Sequence, residues 1–395
     1  MSNGTMIGAG SRSARTVRLG TRGSALAVAQ STQVAHALTA ASRRIGADLE
    51  VELVRIRTRG DVDATPLTRL GGVGVFAAAL REALLEGACD LAVHSCKDLP
   101  TAPVPGLRIA AVPPREDPRD ALCAVGGAML ADLPRGARVG TGSPRRAAQL
   151  LAMRPDLEVV PLRGNVPTRL SRVVGAVVGA DGPMGAVREP DLDAVVLALA
   201  GLRRLGLDSY ATQVFALPRA DLADEGVADP TERIPVMVPA PAQGALAIEM
   251  RADDAPDPGS APPGEEPSPA TAEAAHDPGT ATALAAALAE LDDPATRAAV
   301  TAERELMRRL EAGCAAPVGA VAVPVTAAEG SAGLRLDGVV ATGDGSRLLR
   351  KSATGLRAEA AALGQTVAGA LLEAGAADLV DLRAVSPGRG RREAP

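Results

Sequence analysis

Two periods of hydrophobic spacing alternate along most of this chain. Val17–Gly20 is a short apolar run leading through Thr21–Ser24 into a segment where Ala27, Val34, Leu38, Ala41 and Ile45 recur at helical spacing. The run predicts a strand and the spacing a helix. Glu50–Thr58 predicts the next strand, Phe76, Leu80 and Leu84 a second helix, and Asp90–His94 and Arg108–Val112 two more strands. A second series follows, with Arg138–Thr141 as a strand and Ser143-Pro144 as an N-cap with Pro in the first helical position. That helix reaches about Met153, and Glu158–Leu162 and Asp193–Ala198 are strands beyond it. Alternation of this kind predicts parallel sheets with helices on both faces, an α/β class whose ligands bind at C-terminal strand ends and helix N-termini.

Other stretches break the pattern. Residues 252–280 hold seven prolines and seven acids with no Lys or Arg, and are expected to be a disordered, solvated insertion. Val174–Pro190 is a milder, Gly-rich insertion, and the polar first residues have no hydrophobic stretch of a secretory signal. From Thr282 the spacing predicts one long helix to about Glu311, strands near 318–325 and 333–340, and a helix from about 357, together a small α+β unit.

Composition narrows the function classes. The length of 395 residues suits two or three domains. With one Tyr, two Phe and no Trp, Ala, Val and Leu must fill the core, and no aromatic platform exists for stacking bases. A net charge of −5 argues against nucleic acid as the main partner. No apolar run approaches a bilayer-crossing length, so no membrane partner is expected. Cys89, Cys96, Cys123 and Cys314 lack paired spacing, which predicts free thiols in a cytoplasmic protein. His36, His94 and His276 are scattered, so no metal site is expected.

Charge placement is more telling. Arg135–Arg172 contains eight arginines against two acids, several of them just after a predicted strand or at a helix start. Guanidinium forks bind carboxylates in pairs, and helix N-termini add partial positive charge. The segment describes a cleft for a multi-carboxylate or phosphorylated ligand; it equally describes a solvated basic face paired with the acidic remainder. Lys97 is one of two lysines in the chain and stands beside Asp98, where a buried strand gives way to a turn ending at Pro100. A carboxylate there can shuttle protons and stabilise a cation, though a lone Lys-Asp pair is commonly plain loop. Cys314 follows Gly313 on a turn, either a reactive thiol or a buried small hydrophobe. Gly71-Gly72-Val73-Gly74 could form a mobile lid, but matches neither phosphate-binding fingerprint.

In order along the chain, LGTRGSALAVAQ (19–30), TRGDVDATPLTRLGGVGVF (58–76), LAVHSCKDLP (91–100), REDPRDA (115–121), VGTGSPRR (139–146), LRGNVPTRL (162–170), LALAGLRRLGL (197–207), PAPAQGALAIE (239–249) and AERELMRRLEAGC (302–314) closely resemble the porphobilinogen deaminases. The resemblance implies two lobes like type II periplasmic binding proteins, with mixed sheets, plus a small α+β C-terminal domain. Residues 1–15 are then a leader, 16–114 with 240–251 the first lobe, 115–239 the second, 252–280 the insertion, 281–386 the C-terminal domain and 387–395 a tail. It further implies a dipyrromethane cofactor joined by a thioether to Cys314, with Asp98 as the catalytic carboxylate and Lys97 beside it. Lys97, Asp98, Ser143, Arg145, Arg146, Arg163 and Gly164 would hold the cofactor. Arg22, Ser24, Phe76, Arg169, Arg204 and Gln243, the last on the second interlobe strand, would hold the substrate porphobilinogen. The family expectation is a monomer.

The chain departs from the family pattern at Arg69 and Val73, where lysines are common, at Cys96 beside the catalytic pair, and in the 252–280 insertion. The alternatives are a non-catalytic two-lobe solute-binding protein for a carboxylated ligand, and a thiol hydrolase pairing Cys314 with a histidine.

Overall fold

The structure, a computed structural model, describes residues 15–56, 75–179, 182–218, 235–254, 278–313, 315–327 and 330–382. The first lobe opens with β1 (Arg15–Thr21), α1 (Ala25–Arg44), β2 (Leu49–Arg55), α2 (Val75–Leu85), β3 (Leu91–Ser95) and β4 (Leu107–Ala111). The second takes β5 (Asp120–Ala124), β6 (Arg138–Thr141), α3 (Pro144–Met153), β7 (Glu158–Pro161) and α4 (Val166–Val174). It continues with the short β8 (Val178–Gly179) and β9 (Gly182–Pro183), then β10 (Ala194–Ala198), α5 (Leu199–Arg204) and β11 (Gln213–Val214). The chain then returns to the first lobe as β12 (Leu246–Arg251).

Both large sheets are mixed, where βα alternation alone predicts parallel ones. Their orders are β2-β1-β3-β12-β4 and β11-β5-β10-β6-β7. In the first, β1 runs parallel to β2 and β3, and β12 lies antiparallel to both β3 and β4. In the second, β6, β7 and β10 are parallel and β5 is reversed. The reason is connectivity: β5 and β12 each enter their sheet directly from a segment crossing between lobes, so no crossover helix sets their direction. Both sheets therefore bring the C-terminal ends of their parallel strands, and the start of their reversed strand, to one edge.

The expected single helix from Thr282 is two, α6 (Pro278–Leu291) and α7 (Pro294–Arg309). Pro294 cannot continue the hydrogen-bond ladder of α6, and Asp293 caps the new helix by accepting from Thr296 N at 2.7 Å. The break matters, because Leu284, Ala287 and Leu288 of α6 pack with Val34 and Leu38 of α1 and Leu19 of β1. This helix thus completes the first lobe's core, whereas the C-terminal domain was expected to begin at 281. The α6 start at Pro278 and the Arg251–Asp254 turn, 2.6 Å, likewise trim both ends of the expected 252–280 insertion; residues 255–277 are outside those described. Arg15 opens β1, one residue inside the expected leader.

The C-terminal unit packs α7 and α8 (Ala360–Glu373), followed by the short α9 (Ala376–Leu379), on an antiparallel sheet of β13 (Val318–Thr326), β14 (Ala332–Ala341) and β15 (Leu348–Leu356). The third strand was not expected from the sequence. At the β14–β15 turn Gly345 has φ +71°, and a Cβ there would lie 2.4 Å from the Ala148 carbonyl of α3, so only glycine lets this turn seat on the second lobe.

Candidate functional site

In the first lobe, β3 is buried along its length until Ser95, whose hydroxyl meets the Gln30 amide of α1 at 2.9 Å. The chain then makes one 3₁₀ turn, Cys96–Asp98, closed by Leu99 N donating to Cys96 O at 3.2 Å. Cys96 points into the core, Lys97 is half-buried and Asp98 is exposed. Beside it, β1 ends at Thr21, Arg22 is half-buried, and Ser24 caps α1 by accepting from Ala27 N.

Across the cleft, β6 leads into Ser143, which caps α3 as the Ser-Pro pair predicts, and Arg145 and Arg146 follow in the first turn. Both arginines are buried and share one fully buried carboxylate, Asp120 at the start of β5. Arg146 reaches Asp120 Oδ1 at 2.7 Å and the Val196 carbonyl at 3.0 Å. Arg145 reaches Asp120 Oδ2 at 2.8 Å and the Val238 carbonyl at 2.5 Å. Burial alone would raise the pKa of Asp120, but the two guanidiniums and the Gln243 amide bring it down to about 2. The Arg163-Gly164 loop after β7 is exposed, with Gly164 at φ +108°. Asn165 caps α4 by accepting from Thr168 N at 2.9 Å.

Gln243 ties the two edges together. It was expected on an interlobe strand; it sits instead on a turn, with Ala242 at φ +60° and Gly244 at φ +88°. The turn is forced by crowding, since a Cβ on Gly244 would come within 2.2 Å of the Glu116 carbonyl on the other crossover. The amide of Gln243 is occupied by the protein: its oxygen accepts from Lys97 Nζ at 3.3 Å and Arg146 Nη2 at 3.4 Å, and its nitrogen donates to Asp120 at 2.9 Å.

Lys97, Arg146, Arg169 and Arg204 line an open recess with Gln30, Ser95 and small or aliphatic residues. Among the described residues, no carboxylate lines it. Burial is the main cause lowering the Lys97 pKa to about 8; Arg146 and Arg145 push the same way, against Asp98 and Asp120. Burial and then Arg146 lower Arg169, opposed by Asp98. Arg204 is lowered by burial and donates to Gly244 O at 2.7 Å, while its Nε is buried with no hydrogen-bond partner. These are cations crowded together with too few anions, the donor set that a ligand bearing several carboxylates satisfies. A dipyrromethane, with its acidic side chains, fits.

Thus the structure gathers Lys97, Arg146, Arg169 and Arg204 around one recess, buries Arg145 and Gln243 behind it, and leaves Ser143 half-buried at the start of α3. Cys314, and the Gly-rich loop with Arg69 and Val73, lie outside the described residues; Phe76 is in α2 with its side chain outside them. The resemblance-based assignment did not include Asp120, whose only signal is its place in REDPRDA. It also omitted Arg115 and Glu303, which meet at 2.6 Å where the lobes join the C-terminal unit. His94 is buried against Glu249 at 3.2 Å. Among the described residues, no cluster of His, Cys, Asp and Glu could hold a metal ion, and no helix is long and apolar enough to cross a membrane.

Known proteins resemble this chain over most of its length. The family model for the porphobilinogen deaminase dipyrromethane cofactor binding domain matches residues 17–256, and that for the porphobilinogen deaminase C-terminal domain matches 297–373. The porphobilinogen deaminase of Micrococcus luteus is 52% identical over 340 residues, covering 86% of this chain and 81% of its own. That of Cutibacterium acnes is 48% identical over 377 residues, covering 93% and 98%. A TRAP periplasmic solute binding protein from Xanthobacter autotrophicus with bound β-D-galacturonate superposes at a TM-score of 0.33 and 10% identity, covering 70% of this chain and 79% of that one, too loosely to bear on ligand or activity. With both family models matched in order and identity near one half along almost the whole length, the chain belongs to the porphobilinogen deaminase family.

Proposed function

We propose that this transferase condenses four porphobilinogen molecules into hydroxymethylbilane with release of ammonia, for tetrapyrrole biosynthesis, on a dipyrromethane held by Cys314. The observation that carries the reading is the exposed carboxylate of Asp98 at a strand end, beside a recess lined by Lys97, Arg146, Arg169 and Arg204. When bound, the dipyrromethane would supply the free pyrrole carbon to which the first unit is joined, each later unit joining the one before it, and it would remain after the product leaves.

Asp98 donates a proton to the departing amine of the substrate, then stabilises the resulting substrate cation through its ring N–H. After the new carbon–carbon bond forms, Asp98 is placed to accept the proton released from the ring carbon that made the attack. Water finally releases the four-ring product. Arg146, Arg169 and Arg204 hold acetate and propionate groups, joined by Arg22, Ser24, Ser143 and the Arg163-Gly164 loop. Lys97 is a compact cation beside Asp98, aimed by its bond to Gln243. Arg145 acts from behind, fixing the second crossover through Val238. A tether on Cys314 makes each addition effectively unimolecular. Buried free thiols at Cys89, Cys96 and Cys123 suit a reducing cytoplasm, and a monomer is the expected state.

Intact mass of the purified protein should exceed the chain mass by two pyrrole units, lost when Cys314 is replaced. Asp98→Asn should lower turnover by roughly 10²- to 10⁴-fold while the adduct persists. Active protein of unmodified mass, or full turnover in Asp98→Asn, defeats this reading.

A further inference from the structure

One side chain of the C-terminal unit reaches the turn that carries Lys97 and Asp98. Arg304, on α7, donates from Nη1 to the Leu99 carbonyl at 3.0 Å and, at the limit of a hydrogen bond, to Cys96 O at 3.5 Å. Its Nη2 donates to the Pro100 carbonyl at 2.7 Å. Among the described residues Arg304 forms no ion pair, and no other side chain donates to these carbonyls. A single 3₁₀ turn leaves its trailing carbonyls without partners of its own, and Pro100 brings no amide. A planar fork of N–H groups can hold several carbonyls at fixed angles, as a single ammonium cannot.

The contact is reinforced by packing. Cys96 and Leu99 are buried in one apolar cluster with Val300, one turn earlier on α7, and with Ala242 and Ala245 of the second crossover. Cys96 N also donates to Ala245 O at 3.0 Å. Asp98 is the exposed residue in a turn whose backbone is gripped on both sides of it. Ten residues past Arg304, the chain reaches Cys314.

We propose that Arg304 is a positioning residue: by holding the carbonyls of Cys96, Leu99 and Pro100 it sets where the Asp98 carboxylate points, so the helix leading to the cofactor thiol also aims the catalytic acid. The assignment rests on the deaminase reading above. It touches no reacting atom and acts through the backbone of the turn alone.

The test uses the full-length protein carrying its adduct. Arg304→Met should keep the adduct mass and a cooperative melt, with KM for porphobilinogen near the wild-type value. Its kcat should fall by about 10²-fold, the size expected when a reacting group is misplaced by about an ångström. Hydrogen exchange should quicken in peptides covering 96–101 and stay unchanged elsewhere. Arg304→Lys should fall between Met and wild type. Placed on Asp98→Asn, either variant should cost little further activity, because both changes disable one function. An unchanged kcat, exchange that quickens throughout the protein, or losses that multiply with Asp98→Asn would each overturn the assignment. If Arg304→Met does not melt cooperatively, Arg304→Lys supplies the same comparisons. A wild-type protein without adduct or turnover instead refutes the deaminase reading and leaves the grip of Arg304 on the turn intact.

Discussion

Two carboxylates, Asp120 and Glu303, are both fully buried, yet their surroundings differ in one respect. Asp120 answers two guanidiniums, Arg145 and Arg146, and connects through Gln243 to a third cation, Lys97. Glu303 answers one, Arg115, at 2.6 and 3.0 Å, and completes its hydrogen bonding with two neutral amides, Ala242 N and Ala322 N. Arg115 lies on the first crossover, Ala242 on the second and Ala322 on β13, so the Glu303 cluster joins three parts of the molecule with balanced charge. The Asp120 cluster lies behind the recess and is short of negative charge. Where the fold only has to hold, charge is matched; beside the recess it is left unmatched, as the proposed binding of a multi-carboxylate ligand requires.

The sharpest way to break that contrast is to remove each carboxylate. Asp120→Asn leaves two buried guanidiniums uncompensated and should cost about 3–5 kcal/mol in denaturant unfolding. Added citrate should recover more of this loss than it adds to the wild type, because the anion replaces the missing charge. Glu303→Gln keeps one acceptor but strands part of Arg115 and a buried amide, a cost of about 1–3 kcal/mol, and citrate should give it no more than it gives the wild type. Equal recovery in the two variants would erase the distinction. Acid should act in the same direction as Asp120→Asn. The Asp120 pKa is depressed from 3.8 to about 2, so its contribution is complete above the unfolded value and disappears as pH falls through about 2.

The contrast was only half legible in the sequence. Of the eight arginines in Arg135–Arg172, Arg146 and Arg169 line the recess while Arg154 and Arg172 pair with Asp156 and Asp191, so each of the two readings of that segment holds in part; Ser143-Pro144 fixed the start of α3, because a cap and a proline act locally. The position of Lys97-Asp98 at the end of a strand was legible for the same reason, from the apolar run before it. Asp120 carried no signal beyond its place in REDPRDA: it opens a five-residue strand with no alternation, and its partners lie 25 and 26 positions away. Gln243 was placed on a strand because nothing about Ala242 announces a positive φ, and the need for glycine at 244 shows only in three dimensions, where the Glu116 carbonyl crowds it. The break at Asp293-Pro294 was readable, as a cap followed by proline, but the apolar spacing on both sides hid it. The third strand of the C-terminal sheet, LLRKSATGL, mixes charged and apolar residues because much of it stays partly exposed.

A smaller effect isolates the unmatched charge itself. Burial, with Arg146 and Arg145 nearby, brings Lys97 down to about 8, so the recess loses a cation as pH rises through that value. A bound carboxylate favours the protonated form and raises its pKa, so affinity for a multi-carboxylate ligand should be level below pH 8. Above it, affinity should decline by up to tenfold per pH unit, until the pKa of the bound state is reached. Global stability is the wrong readout here. Cys89 and Cys96, raised to about 11, and Cys123, raised to about 12, stay protonated in the fold while the unfolded thiols ionise near pH 9. Those three groups remove stability as pH climbs and oppose the change at Lys97, whose unfolded form holds its proton to higher pH. Citrate binding by calorimetry between pH 7 and 9.5 avoids that overlap, and Lys97→Met should flatten the profile. A wild-type profile already flat across this range would mean that Lys97 does not contribute its charge to the ligand, leaving the excess to the arginines alone.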